Sequence, residues 1–504
     1  MRRNRPRGLS RKGEHTVIFR RLISPVRSHG ITALRRCSIF ILSGLLLAGC
    51  ARFESRPLVP EQSAARLEER SLLAPDFQKF AQTNLPRAFA EWPPKTWDFE
   101  GLTLAAFYYH PSLDVARAQW AVARGGDKTA AGRLNPTINA VPGYDFSASG
   151  GANPWIPGVT LDIPIETAGK RGYRMARARQ LSESARLGIT ATAWQVRANL
   201  RSSLLDLAAA QSRAELLTGQ LTLQDRIVQS LDQRLQAGAV SRSETALVRI
   251  AREKTRLDAL DAQRLASEAR AKIADAIGIP ARALDGIEIA VETGMPLAPP
   301  DSALAEARKR ALQGRADILA ALSDYAASES ALRLEVAKQY PDIHFSPGYQ
   351  FDQGDSKFTV GLTAELPVLN QNQGPIAEAE AHRVEAAAKF NALQARVIGD
   401  LDRALATYHA TTAQLTALES LAAQQQQQSE AVAAQIKAGA SDPLDLLNAR
   451  LELGVSRLAQ LDGRIKLRQA LGALEDAMQQ PIAVLNPAVI EQAQGAISLP
   501  EKKP

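Results

Sequence analysis

The sequence predicts a mainly α-helical, internally duplicated chain with four β-strands that form part of a transmembrane barrel. Three observations predict it. An ordered set of segments recurs at an offset near 200 residues. Each copy carries a helical pattern too long for a compact globule. Each copy also carries two short alternating segments of membrane-crossing length.

Composition agrees. The 504 residues are 45% hydrophobic but only 5% aromatic, which favours long helices over a mixed core. The charge is unevenly placed. Residues 1–36 hold eleven Arg and Lys against the single acid Glu14, a net +10. The whole chain is +8 and residues 37–50 are uncharged, so the body from residue 51 carries −2. A nearly neutral body has no electrostatic footprint for nucleic acid.

After the basic leader comes an apolar run, residues 38–48. It rises about 16 Å as a helix, short of a bilayer core of about 30 Å. Residues 1–49 therefore read as a secretory signal. Leu47, Ala48 and Gly49 before Cys50 resemble the bacterial lipoprotein signal, in which the Cys is lipidated and becomes the mature N-terminus. Ala51 is compatible with outer-membrane sorting. Cys37 and Cys50 are the only cysteines, so the mature chain has no disulfide and no thiolate metal site. After residue 50 no stretch reaches 18 apolar residues, so a membrane-spanning body must be a β-barrel.

Residues 50–100, rich in proline and without clear periodicity, are expected to run as a lipid-anchored segment to the first helix. The repeats occupy 101–290 and 302–485, and 486–504 form a tail. Asn135–Phe146 aligns with Tyr340–Phe351, Gly158–Ile165 with Gly361–Val368, and Ala237–Glu244 with Ala438–Asp445. Each half predicts a helix (101–133; 302–338), a strand pair (136–148 with 156–165; 341–352 with 357–367), a very long helix (168–236; 375–437) and a last helix (241–278; 443–479). Val196, Leu200, Leu204 and Leu207, and Leu444, Leu447, Leu451 and Val455, have coiled-coil spacing. Segments 281–301 and 482–504 are expected as connections or disorder.

Four strands cannot close, and an open edge in lipid leaves backbone groups unpaired. Several chains are needed: two give 8 strands and three give 12.

This duplicated order, with Gly-containing breaks at Ala237–Ala239 and Ala438–Ala440, resembles the TolC-like outer-membrane efflux proteins over about residues 101–481. The lipoprotein signal resembles the lipid-anchored branch of that family. The resemblance implies a homotrimer with a 12-stranded outer-membrane barrel, continued by a long helical barrel in the periplasm. It implies a passive duct, coupled through a periplasmic adaptor (membrane fusion) protein to an inner-membrane pump of the resistance-nodulation-division type. Gly169, Lys170 and Arg171 look like a CzcC-like heavy-metal efflux branch. The cargo could be metal ions or small toxic compounds. A type I secretion outlet would share the fold, and a periplasmic coiled-coil lipoprotein would lack the barrel.

The resemblance makes Gly238, Ala239, Gly439 and Ala440 candidate adaptor contacts at the helix tips; plain turn chemistry is the alternative. It places Asp445 at a periplasmic gate, with Asn448 where a second carboxylate stands in the family and Glu244 as the repeat equivalent of Asp445. A favourable charge in a first helical turn explains both acids equally well. Lys170, Arg171 and Arg174 open the first long helix, where cations oppose the helix dipole. Lipid phosphates, a neighbouring subunit or a solvated face would account for them. Tyr144, Phe146, Trp155, Tyr349, Phe351 and Phe358 suit an aromatic girdle. His110, His344, His382 and His409 show no metal-ligand spacing, and no cofactor is expected. No phosphate loop, nucleophile elbow or catalytic triad pattern occurs, so the chain is not expected to be an enzyme.

Overall fold

The computed structural model describes residues 53–85, 91–151, 153–290 and 301–481. The expected signal, Cys50 and the 486–504 tail lie outside them. The chain divides into two compact units, residues 1–63 and 64–504. The boundary falls within helix α1 (Pro60–Glu68), and both repeats belong to the second unit.

Helix α2 (Pro75–Asn84) precedes the first repeat, which comprises α3 (Phe99–Tyr109), α4 (Pro111–Ala131), β1 (Thr137–Tyr144), β2 (Trp155–Ile165), α5 (Lys170–Gln236) and α6 (Arg242–Ile277). A short 3-10 turn, Ala281–Leu284, leads towards the second repeat. That repeat has the same order: α7 (Asp301–Gly314), α8 (Ala316–Ala337), β3 (Ile343–Asp352), β4 (Asp355–Ala364), α9 (Gln373–Lys437) and α10 (Pro443–Met478). At 67 and 65 residues, α5 and α9 each run about 100 Å.

Two expectations need correction. The first helix of each repeat is two helices. Pro111 has no N–H to continue α3, and His110 is extended at φ −67°, ψ 123°. The equivalent Arg315 breaks the second copy at φ −61°, ψ 139° without a proline. The 50–100 segment is also not a plain runner. It carries α1 and α2, and buries Leu72, Phe77 and Trp97 against α3 and the end of α6. Phe77 stacks on Trp97 at 6.2 Å and lies 5.5 Å from the Tyr109 ring.

The strands form one antiparallel sheet in the order β1-β2-β3-β4. The β3–β4 turn is two residues, Gln353 and Gly354, with φ of 49° and 107°. Positive φ at both central positions matches the twist of the flanking strands. Two larger apolar cores lie at equivalent places, where each repeat's short helices meet its long pair. The first holds Leu102, Leu200 and Ile273; the second holds Ile318, Val397 and Leu474. Among the described residues a third, small cluster of Leu217, Ala259 and Ala262 lies further towards the tips. There Leu247, Ile250 and Leu257 of α6 are more than half exposed.

Candidate functional site

The strand registers sort the side chains onto two faces. Ile138 sits opposite Leu161, Ala140 opposite Val159, and Tyr144 opposite Trp155. Val159 meets Tyr349 and Ile163 meets Phe345; Phe345 meets Leu362 and Tyr349 meets Phe358. One face is therefore almost wholly apolar. Strand period two puts Asn139, Thr160, Asp162, His344, Ser346 and Thr359 on the other. Ile138, Phe358, Val360 and Leu362 are each about three-quarters exposed, which in water would be an unprotected apolar patch. Tyr144 and Trp155 touch edge-to-face at 5.1 Å, and Tyr349 lies 5.1 Å from Phe358, all near the hairpin ends. Strands of 8–11 residues, tilted, match a hydrocarbon core. Among the described residues the outer edges of β1 and β4 have no strand partner.

At the strand bases the basic cluster finds partners within this chain. Lys170 is buried; its Nζ donates to the Tyr340 carbonyl and to Asp342 Oδ1, both at 2.7 Å. Arg171 donates to the Ala131 carbonyl at 2.7 and 2.9 Å. Arg174 pairs with Glu166 and reaches the Gly132 carbonyl. The cations oppose the dipole of α5, but they neutralise the C-terminal end of α4 and an acid at the base of β3. Burial pushes the Asp342 carboxyl up, yet the Lys170 ammonium and the Thr167 N–H outweigh it and hold the carboxyl below the ordinary value.

The helix tips are built alike. Gly238 and Gly439 have φ of 72° and 76°. In each tip the Gly N–H and the following Ala N–H bond back to the last helical turn: Ala239 to the Arg234 carbonyl, Ala440 to the Gln435 carbonyl, both 2.8 Å. This is the glycine-closed helix end. A capping box comes next. Glu244 accepts from the Ser241 N–H at 3.0 Å, and Asp445 from the Asp442 N–H at 3.1 Å and the Ser441 hydroxyl at 2.8 Å. Both candidate gate acids are thus engaged in local hydrogen bonds. Asn448 is exposed one turn on. Gly238, Ala239, Gly439 and Ala440 are all exposed, with nothing within 4 Å of a Cβ built on either glycine.

Between base and tip, ion pairs tie α5 of the first repeat to α10 of the second. Arg197 and Arg201 meet Glu475 at 3.1 and 2.6 Å, and Arg201 also pairs with Asp476. Arg213 meets Asp462 at 3.1 Å, and Arg234 meets Asp442 at the tip. The exposed Arg213 pair contributes under about 1 kcal/mol. The Arg197 end is different. Its guanidinium lies over the Phe99 and Trp194 rings at 4.8 and 5.2 Å. Burial pushes Arg197 down and Asp476 up, in spite of their mutual attraction. Removing one partner there strands a buried charge at a cost of about 3–5 kcal/mol.

Sequence reading missed two groups. Arg70, from the segment before the first repeat, donates to the Tyr109 and Gly278 carbonyls at 2.6 and 2.9 Å. In the second repeat Arg315 takes the corresponding duty on the Ala477 carbonyl. The other is Asp162, which gathers His344 and Ser346 across the repeat boundary. No local pattern signals contacts between residues this far apart; only the strand register could.

A sequence profile of the family described as outer membrane efflux protein matches residues 106–279 and 307–479, the two repeats. The cobalt-zinc-cadmium resistance protein CzcC of Cupriavidus metallidurans is 24% identical over 216 residues, 42% of this chain and 50% of that protein. The chain thus spans about half the length of this curated relative. The outer membrane protein VceC of Vibrio cholerae superposes with a TM-score of 0.62 at 18% identity, covering 76% of this chain and 96% of its own. The CmeC outer membrane channel of Campylobacter jejuni superposes with a TM-score of 0.61 at 14% identity, covering 85% of this chain and 93% of its own. At such identities these likenesses are of fold.

Proposed function

The chain belongs to the outer membrane efflux protein family, and on that premise we propose how it builds an export duct. Three copies close a 12-stranded barrel in the outer membrane, the outer edge of β4 of one copy pairing with that of β1 of the next. The helices continue the duct into the periplasm. The observation that carries this reading is the four-stranded sheet with one apolar face and two unpartnered edges. A hydrocarbon environment makes the apolar face favourable and the edges intolerable until they pair. The leader and Cys50 supply export and a lipid anchor. The duct is passive; the driving energy comes from an inner-membrane pump of the resistance-nodulation-division type through a periplasmic adaptor. The similarity to CzcC favours divalent metal cations as cargo over other small toxic compounds, and over the protein cargo of a type I secretion outlet.

The experiment is conductance. Purified protein added to a planar bilayer should insert as SDS-resistant oligomers and give discrete current steps. A chain that stays soluble and silent is instead a periplasmic coiled-coil scaffold.

The tips dock the adaptor. Gly238 and Gly439 are poor sites to test this, because any side chain at their φ is strained. Ala239→Trp with Ala440→Trp should abolish adaptor crosslinking while leaving the oligomer intact; unchanged crosslinking removes the docking role. Three copies of Asp445, with Asn448 and Glu244 nearby, would ring the periplasmic mouth. Asp445→Asn keeps an acceptor for the Asp442 N–H but removes the charge, so cation preference should fall. Unchanged selectivity would leave Asp445 a helix cap alone.

A further inference from the structure

The polar face of the sheet holds one cluster that neither repeat could make alone. Asp162, on β2 of the first repeat, takes two bonds from β3 of the second. His344 Nδ1 lies 2.9 Å from Asp162 Oδ2, and the Ser346 hydroxyl donates to Asp162 Oδ1 at 2.9 Å. The repeat does not reproduce it. At the matching offsets Asn139 stands for His344 and Glu365 for Asp162. The group is open to the solvent: the side chains of His344 and Asp162 are 41% and 25% exposed.

A carboxylate on Nδ1 fixes the orientation and tautomer of an imidazole and leaves Nε2 as the outward nitrogen. Proteins prepare histidines for metal ions in this way. Neutral imidazole suits borderline ions such as Zn²⁺ and Co²⁺, whereas Mg²⁺ prefers oxygen and keeps its waters. The spacing of histidines along the chain gave no sign of this, because the partner carboxylate comes from another strand. Among the described residues no group of three metal-ligating side chains exists. One imidazole per chain cannot hold a resident ion, since closed structural zinc sites use four protein ligands. In a duct that weakness is useful. Conduction needs a contact favourable enough to be entered and weak enough to be left.

We propose that His344, oriented by Asp162, is a transient contact for divalent transition-metal ions on the wall of the barrel lumen. Nε2 takes the place of one water in the ion's hydration shell and gives it back on release. The inference rests on the reading of the polar sheet face as the lumen of a duct, and it makes borderline divalent cations the cargo class that this wall distinguishes.

The test is a planar-bilayer titration of the full-length protein in KCl. Zinc chloride should reduce the conductance or make it flicker, and magnesium chloride at equal concentration should not. His344→Asn installs the residue of the other repeat and retains a polar partner for Asp162. It should raise the half-blocking zinc concentration at least roughly tenfold. Asp162→Asn keeps the imidazole but removes the orienting charge, and should raise it by roughly tenfold, the lower end of what outer-shell changes cost. If one variant yields no SDS-resistant oligomer, the other decides. Zinc block unchanged in the variants, or magnesium acting as zinc does, overturns the inference and leaves His344 a strand-pairing residue. An open wild-type pore indifferent to zinc overturns it as well. A wild-type protein that never conducts overturns the duct reading itself, and this inference with it.

Discussion

The two repeats are alike at their tips and unlike at their strand bases. At residues 238–244 and 439–445 the same glycine-closed helix end meets the same capping box. At the bases, Gly169 and Asn372 open the long helices with the same left-handed turn, φ 73° and 63°. The partners differ. The first repeat sets Lys170 and Arg171 against carbonyls and Asp342. The second uses the Asn372 side chain, which donates to the Glu335 carbonyl at 2.7 Å and to its carboxylate at 3.0 Å. The difference shows where duplication leaves a chain free to diverge. The turn and cap of a tip are local chemistry that each repeat solves for itself, although the Arg234–Asp442 pair crosses between the two tips. The Lys170 contact at the base instead joins the repeats: the acid that holds it lies 172 residues away, in the other repeat.

Breaking the bases should give the largest asymmetry. Lys170→Met strands Asp342 and should cost about 3 kcal/mol, read as a lower melting temperature of the helical signal. Its repeat equivalent Gln373 is exposed, and Gln373→Met should change stability by under about 0.5 kcal/mol. Equal losses at the two positions would refute the inter-repeat role.

The ends of the last helices should come next. Gly278 has φ 87°, and a Cβ there would lie 2.9 Å from the Tyr109 carbonyl and 3.0 Å from Pro111 Cδ. Gly278→Ala should therefore cost about 2–3 kcal/mol, left-handed strain plus overpacking. The second repeat carries Gln479 here, at φ 48°, with its side chain accepting from the Ala316 N–H at 2.9 Å. Gln479→Gly relieves strain and loses one bond, so chemical denaturation should show a net change within about 1 kcal/mol.

The tips should show symmetry. Gly238→Ala and Gly439→Ala meet open space, so each should cost only the left-handed penalty of about 1–2 kcal/mol. Values that differ by more than their error would show that the tips are not equivalent.

The smallest effect is on pH. Asp342 has its carboxyl depressed in the fold, so its stabilisation is present above the ordinary carboxylate pKa of about 4. It is lost as the pH falls through the folded value. Thr137 stands at the matching position of the first repeat and does not titrate. Asp342→Asn should be less stable at neutral pH and should flatten the acid side of the stability profile. A profile of unchanged shape would place the titration elsewhere.

These contrasts also mark what a sequence can disclose. Four strands, two long helices and matched tips were legible because each depends on neighbours within a few residues: alternation, heptad spacing, a glycine before a Ser or Asp cap. Pro111 marks the break after α3 in plain sight, but Arg315 makes the same break with no such signal. The 50–100 segment hid two helices because their apolar residues, Leu72, Phe77 and Trp97, find partners on α3 and α6 rather than in a periodic stripe of their own. The cationic cluster could be seen but its partners could not. Lys170, Arg171 and Arg174 reach three different segments, and only the folded sheet brings Tyr340 and Asp342 to them.

The central claim is that four strands per chain close in threes. Native mass spectrometry of the detergent-solubilised outer-membrane complex tests it most directly. A particle of three chains is the expected result. A monomer, or a dimer closing eight strands, would contradict it.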